Sequence, residues 1–259
     1  MATHEESGFV DELWAIIAEE LSHLRDKNRM MHALFMGELE RDRMKLWAKQ
    51  LFLLTRTGPR FLSAIHSNCD NFEVASWLVQ NLYEEYGEMS EGRDHPSLCR
   101  NFGRALCMTV EELEAGPILD CTRRFIDYAF EVTRTKHYVE ALAAIGIALE
   151  GVSARGAPMV GEALKHHYRM SPKDIEFFTA HCEMDVDHSA KTLALIVKHA
   201  DTPEIRSRVK RAVKEMTEKT IEWSVAVSDL VMAQEPESGF ARPAATRDRD
   251  GVRPAADGR

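Results

Sequence analysis

The chain has 259 residues, 44% of them hydrophobic, which is enough for one sizeable core. The formal net charge is −9, and no basic stripe with interleaved aromatic residues occurs, so nucleic acid is not expected as a partner. The sequence shows neither an apolar run of membrane-spanning length nor a secretory leader, which predicts a cytoplasmic protein without a membrane partner. Its five scattered cysteines are expected to be reduced.

The periodic segments follow a helical pattern, and none shows the alternation typical of strands. In the first half, the pattern predicts an amphipathic helix at 9–25 and a connection from Met30 to Met36. A second helix begins at about residue 40 and is broken or kinked at Gly58-Pro59. Further helices are predicted at 71–87, from His95-Pro96 onward, and after Thr109. The second half predicts one long helix at 118–150, a helix restarted by Pro158, one at 171–199, and a last one opened by Thr202-Pro203. We therefore predict an all-α bundle of about seven or more helices in one domain, 1–234. Residues 235–259 have almost no apolar side chains and predict a disordered tail.

The helix predicted at 171–199 has clear start signals. Ser171 is a good N-cap, Pro172 suits the first helical position, and Asp174 can reach back as in a capping box. The interior, residues 175–199, contains no Gly or Pro, which favours an uninterrupted helix.

Two imidazoles and one carboxylate share a stripe on that helix. Relative to His181, the side chain of Asp185 is turned by roughly 40° and that of His188 by roughly −20°. The stripe carries apolar neighbours, so it is expected to face a core. Burying these groups together is costly unless something pairs with them, and two His with one carboxylate suit non-haem iron. The alternative is a cluster of surface ion pairs on a polar face.

Three further residues are candidate ligands. The apolar stripe of the 71–87 helix leads by helical period to Glu85, whereas Glu84 points away. His95 opens the next predicted helix, and Glu150 closes a stripe lined by small and apolar residues. Either glutamate alone is more commonly a solvated surface residue. Together with the first stripe they supply three carboxylates and three imidazoles, a plausible set for two iron ions.

Four motifs occur in chain order: Asn81-Leu82-Tyr83-Glu84-Glu85-Tyr86-Gly87, His95-Pro96-Ser97-Leu98, Glu150, and His181-x3-Asp185-x2-His188. In this order and spacing they resemble the haem-oxygenase-like di-iron oxidases, relatives of the thiaminase and haem oxygenase helical fold. The resemblance covers roughly residues 10–233.

By this resemblance, the metal ligands would be Glu85, His95, Glu150, His181, Asp185 and His188. The family implies two Fe(II) per chain, O₂ as co-substrate, and a small amino-acid-like or carboxylic-acid substrate in specialised (natural-product) metabolism. Its reactions include N-oxygenation, oxidative cleavage and desaturation. Members that oxygenate nitrogen often take an extra Glu from the preceding helix, but residues 51–65 contain no Asp or Glu. We therefore expect C–C or C–N cleavage or desaturation, with N-oxygenation as the alternative and a homodimer left open.

Other readings remain at this point. A ferritin-like protein would show two Glu-x-x-His pairs, and the chain has one, Glu20-x-x-His23, interpreted as an exposed pair. A true haem oxygenase would use a histidine such as His23 as its axial ligand. A thiaminase-like hydrolase would need a cysteine nucleophile, with Cys121 and Cys182 as candidates. A cofactor-free oxidase and a non-enzymatic helical interaction module are the remaining alternatives.

Overall fold

The computed structural model describes residues 4–24 and 27–234, with side chains at 7–24, 27–179 and 190–234. Every regular element in these residues is helical, which confirms the all-α prediction. The α-helices are α1 (His4–Ser22), α2 (Arg29–Phe35), α3 (Arg41–Thr55), α4 (Gly58–Ser67), α5 (Phe72–Glu85), α6 (His95–Ala105), α7 (Val110–Glu114), α8 (Asp120–Thr135), α9 (Tyr138–Ala143), α10 (Glu150–Tyr168), α11 (Glu176–His199) and α12 (Pro203–Ala233). The tail predicted at 235–259 lies outside the described residues.

Side-chain caps set several helix starts where the sequence predicts them. Asn71 accepts a hydrogen bond from the backbone N–H of Val74 at the start of α5. Thr109 and Glu112 form a reciprocal capping box on α7. Thr202 caps α12. Each cap satisfies a backbone donor that the first helical turn leaves without a partner, so these starts are fixed locally.

The segment predicted as a connection, Met30 to Met36, is instead helical, so that prediction was wrong. Asn28 caps α2 by accepting from the N–H of Met31, and Met30 and Leu34 are fully buried. A helix of about two turns is too short to show clear periodicity in the sequence, and burial of its apolar face stabilises it.

The single long helix predicted at 118–150 was also wrong. The chain leaves α8 at Lys136, which is extended, and His137 starts α9 by accepting from the N–H of Val139. Glu140 completes this cap by accepting from the N–H of His137. A six-residue π-helical segment, Ala144–Leu149, then joins α9 to α10. Burial of residues 139–148, together with this cap, thus outweighs the helix propensity of the alanine-rich stretch.

Pro158 does not restart a helix as predicted, because it lies inside α10. Helix α10 continues through it, with Ala154 on one side and Val160 and Leu164 on the other all buried. Proline removes one backbone hydrogen bond from the helix, and the packing of α10 along α11 offsets this loss of stability.

The start of α11 differs by one turn from the prediction. Ser171 and Asp174 form the predicted reciprocal hydrogen bonds, but the chain makes one turn before the regular helix begins at Glu176.

Two apolar clusters form the core. One joins α1, α4, α5, α8 and α9 with the π segment and parts of α11 and α12. The other joins α2, α3, α6 and α10 with the first residues of α11 and the end of α12. The junctions α5–α6 and α9–α10, which carry Glu85, His95 and Glu150, therefore connect the two clusters. No described helix is long and apolar enough to cross a membrane.

Candidate metal centre

Glu85 is the last residue of α5 and His95 is the first residue of α6. Helix α5 ends there because Gly87 adopts a left-handed conformation, φ +65°, two residues later. Asp94 caps α6 by accepting from the N–H of Ser97 at 2.9 Å, and Pro96 follows His95 in the first turn. The two predicted ligands therefore sit at facing helix ends, where the backbone fixes their positions.

The two side chains meet in the protein interior. Nδ1 of His95 lies 2.9 Å from Oε2 of Glu85, and the two side chains are only 8% and 19% exposed. This is the distance of a hydrogen-bonded pair, and it is also close to the separation of about 3 Å between two ligand atoms at right angles around an ion with bonds of about 2.1 Å. The donor set, one imidazole nitrogen and one carboxylate oxygen, also suits non-haem iron.

The neighbouring glutamate has a different environment. Glu84 accepts a hydrogen bond from Gln80 at 3.1 Å, one turn earlier on the exposed side of α5. The helical phase predicted from the sequence therefore separates the two carboxylates as expected: Glu85 faces His95, and Glu84 faces Gln80.

Helix α4 approaches the Glu85 carboxylate with a residue that has no side chain. A Cβ built on Gly58 would lie 4.0 Å from Oε2 of Glu85. The stretch from Leu51 to Ile65, which contains no acidic residue, thus contributes a glycine rather than a further carboxylate beside Glu85.

Glu150 is the first residue of α10 and directly follows the π segment. Its side chain is partly buried, and residues 141–148 before it are buried throughout. A π turn contains about one residue more than an α turn, so it rotates the residues after it around the helix axis. Such turns are frequent at functional sites. No sequence signal indicates this segment, since an alanine-rich stretch is equally typical of an α-helix.

A buried contact ties α5, α11 and the π segment together. Nε1 of Trp77 on α5 donates to Oγ1 of Thr192 on α11 at 3.0 Å, and Thr192 is 1% exposed. The γ-methyl of Thr192 in turn packs on Gly146 of the π segment, where a Cβ would come within 2.6 Å. Sequence reasoning missed this group, because a threonine and a glycine inside helices carry no chemical signature. We call Trp77, Thr192 and Gly146 the interhelical lock.

Half of the predicted ligand set cannot be placed, because the side chains of His181, Asp185 and His188 lie outside the described ones. The backbone at these positions belongs to α11, as predicted. Among the side chains described at 7–179, apart from 25–26, and at 190–234, no three His, Cys, Asp or Glu residues form a metal-binding group. Glu150 therefore does not join Glu85 and His95 in such a group.

The competing readings meet structural objections. His23 is exposed and follows the end of α1, so it does not offer a buried axial ligand. Glu20 was predicted to be exposed, but its side chain is 13% exposed and pairs with Lys214 on α12. Arg60 and Arg155, which could in principle bind a substrate carboxylate, instead stack on aromatic rings: Arg60 lies 5.1 Å from the centroid of Phe130, and Arg155 lies 3.4 Å from that of Trp14.

Cys121 is buried and lines a groove of about 370 Å³ between α8 and α12. The aromatic wall of this groove is formed by Phe125 and Trp223, whose ring centroids are 5.8 Å apart. None of Glu85, His95 and Glu150 lines it. A cysteine in a groove is the feature that a thiaminase-like reading requires, so this alternative needs a direct test.

Comparison with known proteins identifies the family. Residues 45–218 match the family model described as iron-containing redox enzyme, of the haem-oxygenase type. This chain belongs to that family. It is an enzyme, an iron-containing oxidoreductase, and the predicted resemblance is confirmed.

Curated relatives are named 4-aminobenzoate synthase. The protein from Chlamydia trachomatis is 30% identical over 193 residues, 73% of this chain and 79% of the relative. That from Nitrosomonas europaea is 26% identical over 207 residues, covering 74% and 82% of the two chains.

Solved structures show the same fold. A haem-oxygenase-like domain of unknown function from Shewanella denitrificans superposes with a TM-score of 0.75 at 16% identity, covering 86% of this chain and 91% of the other. A protein from Nostoc punctiforme, described as similar to CADD, gives a TM-score of 0.72 at 16% identity, covering 89% of this chain and all of the other.

Proposed function

We propose that this family member is an O₂-activating oxidase that holds two iron ions and acts on a small amino-acid-like or carboxylic-acid metabolite. The observation that carries the proposal is the buried pair of Glu85 and His95, whose donor atoms are 2.9 Å apart in a chain of an iron-containing redox family. Bound iron would supply the redox chemistry toward O₂, and the chain supplies the ligands and a water-poor surrounding.

The proposed ligand set divides into parts contributed by different helices. Glu85 and His95 supply one carboxylate and one imidazole, and Glu150 supplies a second carboxylate at the start of α10. His181, Asp185 and His188 of α11 supply the remaining groups. Two ions fit this set better than one, because three carboxylates and three imidazoles exceed what a single two-His-one-carboxylate site uses.

The substrate class draws support from the relatives. Their name gives 4-aminobenzoate as the product, a small molecule that carries an amine and a carboxylate. We propose a substrate of comparable size and polarity for this chain.

The proposed reaction is oxidative C–C or C–N cleavage or desaturation. Gly58 next to the Glu85 carboxylate supports this choice over N-oxygenation, because α4 places no additional carboxylate there. N-oxygenation remains the second candidate within the same family.

The remaining proposals concern setting and assembly. We propose a cytoplasmic enzyme that works without nucleic acid or a membrane, with a homodimer left open as its assembly. The described cysteines, Cys69, Cys99, Cys107 and Cys121, are free thiols, in keeping with a reducing compartment.

An anaerobic Fe(II) titration of matched glutamate variants tests the ligand assignment. Glu85→Gln should reduce iron uptake and iron-dependent O₂ consumption at least about tenfold, because an amide is a weaker ligand than a carboxylate and cannot neutralise the ion. Glu84→Gln changes the adjacent residue in the same way and should leave both quantities nearly unchanged, since Glu84 contacts Gln80 instead. Equal effects of the two substitutions would refute the assignment of Glu85.

A further inference from the structure

The segment that joins Glu85 to His95, residues 86–94, has an unusual backbone. Three successive residues, Gly87, Glu88 and Met89, have φ of +65°, +53° and +62°, and Gly92 has φ +75°. Residues other than glycine rarely adopt this region, and runs of such residues persist only where the surroundings enforce them. We call residues 86–94 the strap.

The strap closes on itself next to the two ligands. A Cβ on Gly87 would lie 2.4 Å from the carbonyl carbon of Arg93 and 2.5 Å from the backbone nitrogen of Asp94. These are main-chain atoms that cannot rotate away as the end of a side chain would. Any side chain at position 87 must therefore push the Arg93–Asp94 backbone outward, and this backbone leads directly into His95.

The C-terminal end of the strap is anchored to two helices, α6 and α11. Asp94 caps α6, accepting from both the backbone N–H and the hydroxyl of Ser97. Arg93 forms an ion pair with Glu176, the first residue of α11. If the backbone at Arg93 and Asp94 moves, the start of α6 must move with it. The ion pair between Arg93 and Glu176 at the start of α11 opposes this movement.

We infer that Gly87 is a positioning residue for metal binding, an inference that rests on the proposed function. Its lack of a side chain lets the strap close, and the closed strap holds His95 2.9 Å from Glu85. Two ligands that the backbone holds side by side need not be ordered separately when an ion binds, so they bind metal more tightly.

The chain provides a matched control for this inference. Gly92 lies in the same strap and also has a left-handed backbone, but a Cβ there would meet no atom within 4 Å. Gly92→Ala therefore imposes the conformational strain of an alanine at positive φ without the collision. A difference in metal binding between Gly87→Ala and Gly92→Ala therefore measures the effect of the collision that opens the strap.

The test is an anaerobic titration with Co(II), whose visible absorption reports both binding and coordination geometry. Gly87→Ala should bind at least about tenfold more weakly than Gly92→Ala, in the range seen when groups that orient metal ligands are removed. Its absorption spectrum should also change, which a loss of stability alone would not cause. Thermal unfolding of both metal-free variants gives the stability difference separately.

A second variant keeps the test decisive if Gly87→Ala does not fold. Two glycines inserted between Glu91 and Gly92, at exposed positions, relax the closure without adding a side chain to the crowded contact. This variant should show the same weakened binding and altered spectrum.

Two results would overturn the inference, and they are distinguishable. Wild-type-like affinity and spectrum in Gly87→Ala or in the insertion variant would refute the positioning role while leaving the proposed function intact. Failure of the wild-type protein to bind Co(II) in a manner sensitive to Glu85→Gln would refute the proposed function, and the positioning role with it.

Discussion

The two described parts of the candidate centre are built in different ways. Glu85 and His95 are close in sequence, and one short strap with a crowded glycine brings them together. Glu150 is reached only through the π segment, and its place depends on how α10 and the π segment pack against α11. The first part is a local structure, whereas the second depends on distant helices. Substitutions at Glu85 or His95 should therefore change metal binding, whereas substitutions around the π segment should change the free energy of unfolding.

The largest effect is expected from His95→Ala. With one of the two proposed ions held at Glu85 and His95 and the other held by α11, anaerobic Fe(II) uptake should fall from about two per chain to about one, and iron-dependent O₂ consumption should fall at least about 100-fold. His166→Ala removes an exposed imidazole of α10 and is the matched control. Uptake of one ion by the wild-type protein, with His95→Ala still consuming O₂, would instead favour a mononuclear site on α11.

A substitution in the interhelical lock tests the part that depends on packing. Gly146→Ala should destabilise the protein by about 1–3 kcal/mol, because its Cβ would come within 2.6 Å of the γ-methyl of Thr192. Chemical denaturation of the metal-free protein measures this change.

A second substitution in the same contact sharpens the result. Thr192→Ser removes the methyl group with which the Cβ added by Gly146→Ala collides, but it keeps the hydroxyl that accepts from Trp77. The double variant should therefore be more stable than the sum of the two single changes predicts, by about 1 kcal/mol. Strict additivity of the two changes would show that the contact does not limit the packing of the π segment against α11.

The sequence predicts where Glu85 and His95 lie on α5 and α6, for physical reasons. The phase of α5 separates Glu85 from Glu84, and the cap at Asp94 with Pro96 marks the start of α6 at His95. These features depend on neighbours within one or two helical turns. Periodicity and capping residues record them directly.

The features that sequence reasoning missed depend on residues far apart in the chain. The π segment, the break at His137 and the continuation of α10 through Pro158 are decided by which faces the helices bury. Propensity favours one long helix at 118–150, and the cost of interrupting it is small compared with the burial of residues 139–148. Positions within the predicted helices identified the candidate ligands separately, and the resemblance to the family joined them into one ligand set.

The smallest effect is expected at Cys121, and it tests the thiaminase-like alternative. That reading requires a thiolate nucleophile in the α8–α12 groove, whereas the iron-dependent reading places the chemistry at the ends of α5 and α6. Cys121→Ser should leave Fe(II) uptake and iron-dependent O₂ consumption within about twofold of wild type, since it exchanges one small buried side chain for another. Cys107→Ser, at an exposed thiol, is the control for nonspecific effects. Loss of turnover in Cys121→Ser, with iron uptake and folding retained, would move the reacting group to the α8–α12 groove.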